Sequence, residues 1–199
     1  LESILHGMIL AFGLILPLGV QNVFVFSQGA TQPHIFQALP ATITASLCDT
    51  LLILLAVFGV SAIVLQFEWL RLILMTAGIL FLVYMGYAIW KSVPTTTNTN
   101  KALSIRQQIF FALSVSLLNP HAVLDTVGVI GTSALKYAGT EQVFFTIACI
   151  TVSWIWFLGL TLAGMVMKKL DGKGGLMNLF NKCSALFIWG TAIYLMGGL

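Results

Sequence analysis

The chain has 199 residues, 59% of them hydrophobic and only 8% charged, against about 25% charged residues in a typical soluble domain. Its formal net charge of +3 comes from basic residues that flank apolar segments and do not form a patch, so no nucleic acid partner is called for. What the composition excludes is a soluble domain, and little chain is left over for one outside a bilayer.

With about 20 apolar residues needed per crossing, the expected fold class is an all-α membrane protein with six spans. The first, Ile4 to Phe26, opens a run from Ser3 to Cys48 without any Asp, Glu, Lys or Arg. It is expected to be a span and not a removable signal peptide, because Glu2 stands where a basic n-region would and the apolar run is long. Within it the sequence Leu16-Pro17-Leu18-Gly19-Val20-Gln21-Asn22 predicts a break: proline removes a backbone hydrogen bond and clashes with the preceding turn. The second span, Ala38 to Leu65, carries Asp49 near its middle, and the third runs from Leu70 to Trp90. The fourth, Ile109 to Ala134, has Asp125 as its only charged residue and contains Asn119-Pro120-His121. There the helix is expected to restart, with Asn119 as N-cap and Pro120 at the first helical position. Val143 to Met167 and Leu176 to Met196 complete the set. The tryptophans Trp69, Trp90, Trp154 and Trp156 read as lipid contacts, interface anchors and packing, and Gly159 with Ala163 as a place of close helix approach. Cys48, Cys149 and Cys183 are odd in number and far apart, which suits small buried side chains without a disulfide or metal role.

The chain forms a single transmembrane domain, residues 1–199, with internal symmetry. Repeat one covers about residues 1–93, a linker containing Pro94 to Asn100 about 94–104, and repeat two about 105–199. At an offset of 104, Leu82, Gly86, Ala88 and Ile89 fall on Leu186, Gly190, Ala192 and Ile193, and each half has a proline in its first span, Pro17 and Pro120. Three spans per half force the halves into opposite orientations, which is the inverted repeat of many secondary transporters, with the substrate site near the midplane where broken helices meet. Lys91, Lys101, Arg106, Lys168, Lys169 and Lys173 lie on one side, against Arg71 and Lys136 on the other. The first side is therefore expected to be cytoplasmic and both termini external.

Asp49 and Asp125 are the leading site candidates, because an ionisable residue at membrane depth is costly and normally faces a polar cavity or partner. His121 and Asp125 are four apart and share a helical face. Gln21 and Asn22 follow Pro17 by about one turn, where a half-helix N-terminus can receive a carboxylate.

The runs Pro17-Leu18-Gly19-Val20-Gln21-Asn22-Val23-Phe24-Val25, Ser46-Leu47-Cys48-Asp49 and Leu118-Asn119-Pro120-His121-Ala122-Val123-Leu124-Asp125-Thr126, together with Ser153-Trp154-Ile155-Trp156-Phe157, resemble the LysE superfamily of amino-acid exporters, and most closely its lysine and arginine exporter branch. The chain departs from that branch at Val20, where proline is common. The resemblance implies a secondary transporter of the plasma membrane that exports arginine, lysine or both, driven by the membrane potential or a proton gradient. Asp49 and Asp125 would hold the substrate's cationic groups by charge-assisted hydrogen bonds. Asn22 and Asn119 would orient it, Gln21 and His121 would support them, and Pro17, Gly19 and Pro120 would shape the helix breaks. The partners are then the basic amino acid, protons as a candidate coupling ion, and the bilayer, with either a monomer or a homodimer meeting at faces such as that of Phe110 and Phe111. No cofactor and no resident metal are expected. Export of a neutral amino acid or a divalent cation is the alternative, with Cys48 beside Asp49 keeping a metal cargo open. An intramembrane enzyme is disfavoured, since neither Gly-x-Ser-x-Gly nor His-Glu-x-x-His occurs in the sequence.

Overall fold

The computed structural model describes residues 1–16, 19–59, 68–91, 102–119, 122–123, 126–170 and 175–197. Among them are helices and turns and no strand. In chain order the helices are α1 (Glu2–Ile15), α2 (Val20–Thr31), α3 (Ile35–Val57), α4 (Glu68–Lys91) and α5 (Ile105–Leu117). A π-helical segment (Thr126–Gly131) then runs into a single turn (Thr132–Ala134), followed by α6 (Thr140–Leu170) and α7 (Gly175–Met196). Two helices among the described residues, α3 and α6, are each long and apolar enough to cross a membrane, and α1 with α2 makes a third span if the bent pair is taken as one. The axes of α1 and α2 differ by 80° across the interval that contains Pro17, which itself lies outside the described residues.

The helix ends follow from local chemistry. Ser104 caps α5 by accepting from the Gln107 backbone N–H, while the Gln107 side chain receives the Ser104 N–H. This reciprocal pair satisfies groups that a helix start leaves without partners. Of the second span, expected to reach Leu65, α3 covers the residues up to Val57, and residues 60–65 lie outside the described residues. Gly59 there takes a φ of 75°, a left-handed conformation that ends helices and suits glycine.

The long helix α6 is the spine of the molecule, with α1, α2 and α3 packed along it. The sequence builds these contacts from small residues, which let backbones approach closely where no hydrophobic driving force separates helix from lipid. Helix α1 buries Ser3, Gly7 and Ala11, one residue per turn, and a Cβ at Gly7 would stand 2.7 Å from the Phe145 carbonyl oxygen. Helix α2 is buried almost all round from Val20 to Ala30. A Cβ at Gly29 would overlap the Thr161 backbone, and one at Gly164 would overlap the Phe26 carbonyl. Gly159 and Ala163, expected at a close approach, are instead exposed, and a Cβ at Gly159 would meet nothing within 4 Å. The packed face lies one residue, about 100°, further round the helix, where Gly164 occupies the contact. Helices α4 and α7 form a second pair, in which the Trp189 indole lies over Gly86 and donates to the Val83 carbonyl at 3.2 Å. Phe111 turns inward onto Phe24, ring centroids 4.4 Å apart, while Phe110 is exposed.

Buried polar groups at one end of the bundle pair with backbone. The Gln108 amide donates to the Gln37 carbonyl at 2.8 Å, Gln32 donates to Leu103 at 3.0 Å, and Lys168 Nζ donates to the Gln32 carbonyl at 2.9 Å. Towards the other end, His6 Nδ1 and the Tyr137 hydroxyl lie 2.8 Å apart. Cys48 and Cys149 are buried free thiols, but Cys183 is exposed, contrary to its expected burial, because it falls on the outward face of α7.

Replacing Gly29 or Gly164 by Ala is expected to destabilise the fold by about 1–3 kcal/mol through overpacking against backbone that has no rotamer to yield. Gly159→Ala should leave stability unchanged, and thermal unfolding of the three variants in detergent checks the contrast.

Candidate functional site

A cavity of about 130 Å³ opens within the helix bundle. Gly19 to Asn22 at the start of α2 form one wall, Asp49 and Ile53 of α3 and Ser153 and Phe157 of α6 a second, and Asn119, Ala122 and Thr126 a third. Leu82 of α4 and Ile188 and Thr191 of α7 complete the lining. Of the residues expected to bind substrate, Gln21, Asn22, Asp49 and Asn119 are therefore brought together, with Gly19 beside them. His121, Asp125, Pro17 and Pro120 lie outside the described residues.

Asp49 is placed by the polar face of α3. Thr42, Ser46 and Thr50 on that face return their hydroxyls to carbonyls one turn back, at 3.3, 2.9 and 2.8 Å, which satisfies them without a neighbour. A carboxylate cannot do this, as it has no donor of its own. Its donor comes from α6: Ser153 Oγ donates to Asp49 Oδ2 at 2.5 Å. The Gln21 side chain lines the same cavity, and its Nε2 donates to the Ala45 carbonyl at 3.5 Å. Among the described residues no cationic side chain pairs with Asp49, so its charge is left for something else in the cavity.

The start of α2 is held by Asn22. Its Nδ2 donates to the Ile15 carbonyl at 2.6 Å, and its Oδ1 accepts from the Trp156 indole at 3.3 Å. A helix that stops inside a bundle leaves its last carbonyls without intrahelical donors, and this amide satisfies one of them at the end of α1. Gly19 is the N-cap of α2 and supplies no side-chain cap, so the first-turn N–H groups of α2 have no capping acceptor from it.

Asn119 behaves differently from its expected capping role. Its backbone carbonyl accepts from Val123 N at 3.2 Å, opening a helical turn, yet its side-chain oxygen caps nothing. That oxygen is buried without a hydrogen-bond partner, in a residue 7% exposed that lines the cavity.

The tryptophans of α6 are also more than lipid anchors. Trp154 donates to Thr50 Oγ1 at 3.1 Å, tying α6 to α3, and Trp156 donates to Asn22, a residue that lines the cavity. Ser153, Thr126 and Thr191 were absent from the expected site. For Ser153 and Trp154 a signal existed: the 104-residue offset that aligns Leu82 with Leu186 also aligns Asp49 with Ser153 and Thr50 with Trp154. Both aligned pairs are hydrogen-bonded in the structure. Among the described residues, no group of three or more His, Cys, Asp or Glu side chains is placed to hold a metal ion.

The comparisons with known proteins converge on one family. A protein of Bacillus subtilis (strain 168), YisU, provisionally named as an amino-acid transporter, is 55% identical over 195 residues, 98% of this chain and 89% of that protein. The arginine exporter protein ArgO of Escherichia coli (strain K12) is 30% identical over 196 residues, covering 96% of this chain and 91% of its own length. ArgO of Klebsiella pneumoniae (strain 342) is 35% identical over 163 residues, 79% of this chain and 75% of that protein. No solved structure matches. The model of the LysE type translocator matches residues 12–198, so the chain belongs to the LysE family and is a multi-pass membrane translocator, not an enzyme.

Proposed function

We propose that this chain is a secondary transporter that exports basic L-amino acids, arginine, lysine or both, from the cytoplasm across the plasma membrane. The observation that carries this reading is Asp49: a carboxylate lining a cavity part-way along α3, braced by Ser153 and without a cationic partner among the described residues. A negative site so placed is complementary to a positively charged solute. Beside it, the start of α2, whose N-cap Gly19 supplies no side-chain acceptor, is proposed to receive the solute's carboxylate. Asp125 of the second half is proposed as the second carboxylate, with His121 supporting it. The names of the similar ArgO proteins agree with arginine as the solute.

The six-span inverted repeat is proposed as the frame of this site. Its support is the reciprocity of the packing: α1 and α2 lie on α6 as α5 and the π-helical segment lie on α3, and α3 pairs with α6 as α4 pairs with α7. Residues on a pseudo-twofold axis touch their own equivalents, as Asp49 with Ser153 and Thr50 with Trp154 do. The excess of Lys and Arg beside Lys91, Lys101, Arg106 and Lys168 orients that end of the bundle to the cytoplasm. Export draws on the membrane potential or a proton gradient.

Counterflow of labelled arginine into proteoliposomes tests the assignment. Asp49→Asn and Asp125→Asn are each expected to lower the initial rate at least about tenfold, the scale of one lost charge-assisted contact, while the proteins elute normally on size exclusion. Unchanged arginine transport in both variants would remove the acidic site from consideration. For the driving force, a potassium diffusion potential, positive on the side to which substrate exits, should slow net arginine movement, because the solute carries charge. An imposed pH gradient that leaves both the rate and the reversal potential unaffected assigns the drive to the potential alone.

A further inference from the structure

Resting on the amino-acid reading above, we infer that Asp49 receives the α-ammonium of the substrate and not its basic side chain, which points instead to Asn119. Three observations set this polarity. Gln21 belongs to the first turn of α2, and its Nε2 donates to the Ala45 carbonyl about one turn before Asp49, so the start of α2 and the Asp49 carboxylate border the same cavity. In any amino acid the α-carboxylate and α-ammonium are attached to the same carbon, and a neighbouring anion site and carboxylate take the two together. Ser153 donates to Asp49 Oδ2, which leaves Oδ1 as the readier acceptor and suits the point contact of an ammonium better than the two-pronged grip a guanidinium makes with both oxygens. The third is Asn119 Oδ1, an acceptor 93% buried by residue and without a donor. An unpaired buried acceptor costs about 1–3 kcal/mol, and an N–H group on the far end of the substrate would satisfy it.

The zwitterionic head is then read by α2 and Asp49, and the tail by Asn119 in the wall that includes Thr126. Asp49 selects for an amino acid as such, and the second wall selects for its cationic end. Ser153 acts as a positioning residue, fixing the carboxylate without touching the solute.

Ligand-induced shifts in melting temperature and equilibrium binding on the purified full chain in nanodiscs provide the test. The probes are arginine, des-amino-arginine, which lacks the α-ammonium, and norvaline, which lacks the guanidinium. Asp49→Asn should weaken arginine and norvaline about tenfold or more and leave des-amino-arginine within about twofold of the parent. Asn119→Ala should weaken arginine and des-amino-arginine and spare norvaline. Ser153→Ala should follow the Asp49→Asn pattern at smaller amplitude, with Ser153→Thr restoring it. Thr161→Val, which breaks the 2.7 Å Thr42–Thr161 contact on the same α3–α6 interface, should lower the melting temperature without changing the order of the probes. Equal weakening of arginine and des-amino-arginine in Asp49→Asn would place the guanidinium at Asp49 and overturn the inference, as would binding of none of the probes to the parent. If the parent binds norvaline through Asp49 but does not bind arginine, the basic-substrate reading fails while the assignment of the head stands.

Discussion

A carboxylate carried into the middle of a helix bundle must find its donors among its neighbours, and the contact between Ser153 and Asp49 is where this molecule meets that demand. Lipid supplies no hydrogen bonds, so every polar group at depth is either paired within the protein or left facing a cavity. The hydroxyls of α3 pair with their own helix, whereas Asp49 requires α6. The register between α3 and α6 is therefore a condition of the site: sliding one helix by a turn would separate Asp49 from Ser153 and Thr50 from Trp154 together.

Close packing makes that register stiff. Gly7, Gly29 and Gly164 allow α1 and α2 to touch α6 through backbone, and such contacts have little freedom to slip. Because α2 is pinned near its C-terminal end by Gly29 and at its start by Asn22 and Trp156, its uncapped first turn stays aimed at the cavity. One amide, Asn22, joins the end of α1, the start of α2 and the middle of α6. The break between α1 and α2 is thus a built junction, with the carbonyl it exposes already satisfied.

Two incompletely satisfied features remain at the cavity: a negative charge without a countercharge among the described residues, and the Asn119 oxygen without a donor. A structural core would have evolved partners for both, since leaving them costs stability. Both border one volume, and the proposed export of a cationic solute draws on that convergence. This combination suits a carrier, which must hold its solute without trapping it.

Hydropathy alone marked the helical segments and the membrane class, because apolar runs of crossing length have few other uses. The acidic residue at depth marked the candidate site, as its cost makes it rare, and the 104-residue offset pairs Asp49 with Ser153 and Thr50 with Trp154, which are hydrogen-bonded. The sequence did not disclose where α3 ends, since the left-handed turn at Gly59 interrupts a hydrophobic run that composition reads as continuous. It did not distinguish Gly164 from Gly159, because a polypeptide apolar on every side has no strong periodicity to tell the packed face from the lipid face. Nor did it separate the bracing amide of Asn22 from the open one of Asn119: the two residue types are identical, and only the neighbours brought in by the fold decide which lone pair is taken. Composition thus determined that there is a membrane helix bundle, and the rare charged positions where its candidate site lies. Tertiary structure decided which polar groups are spent on the protein and which are left for a solute, because hydrogen bonding between distant helices depends on register and rotation that linear order does not encode.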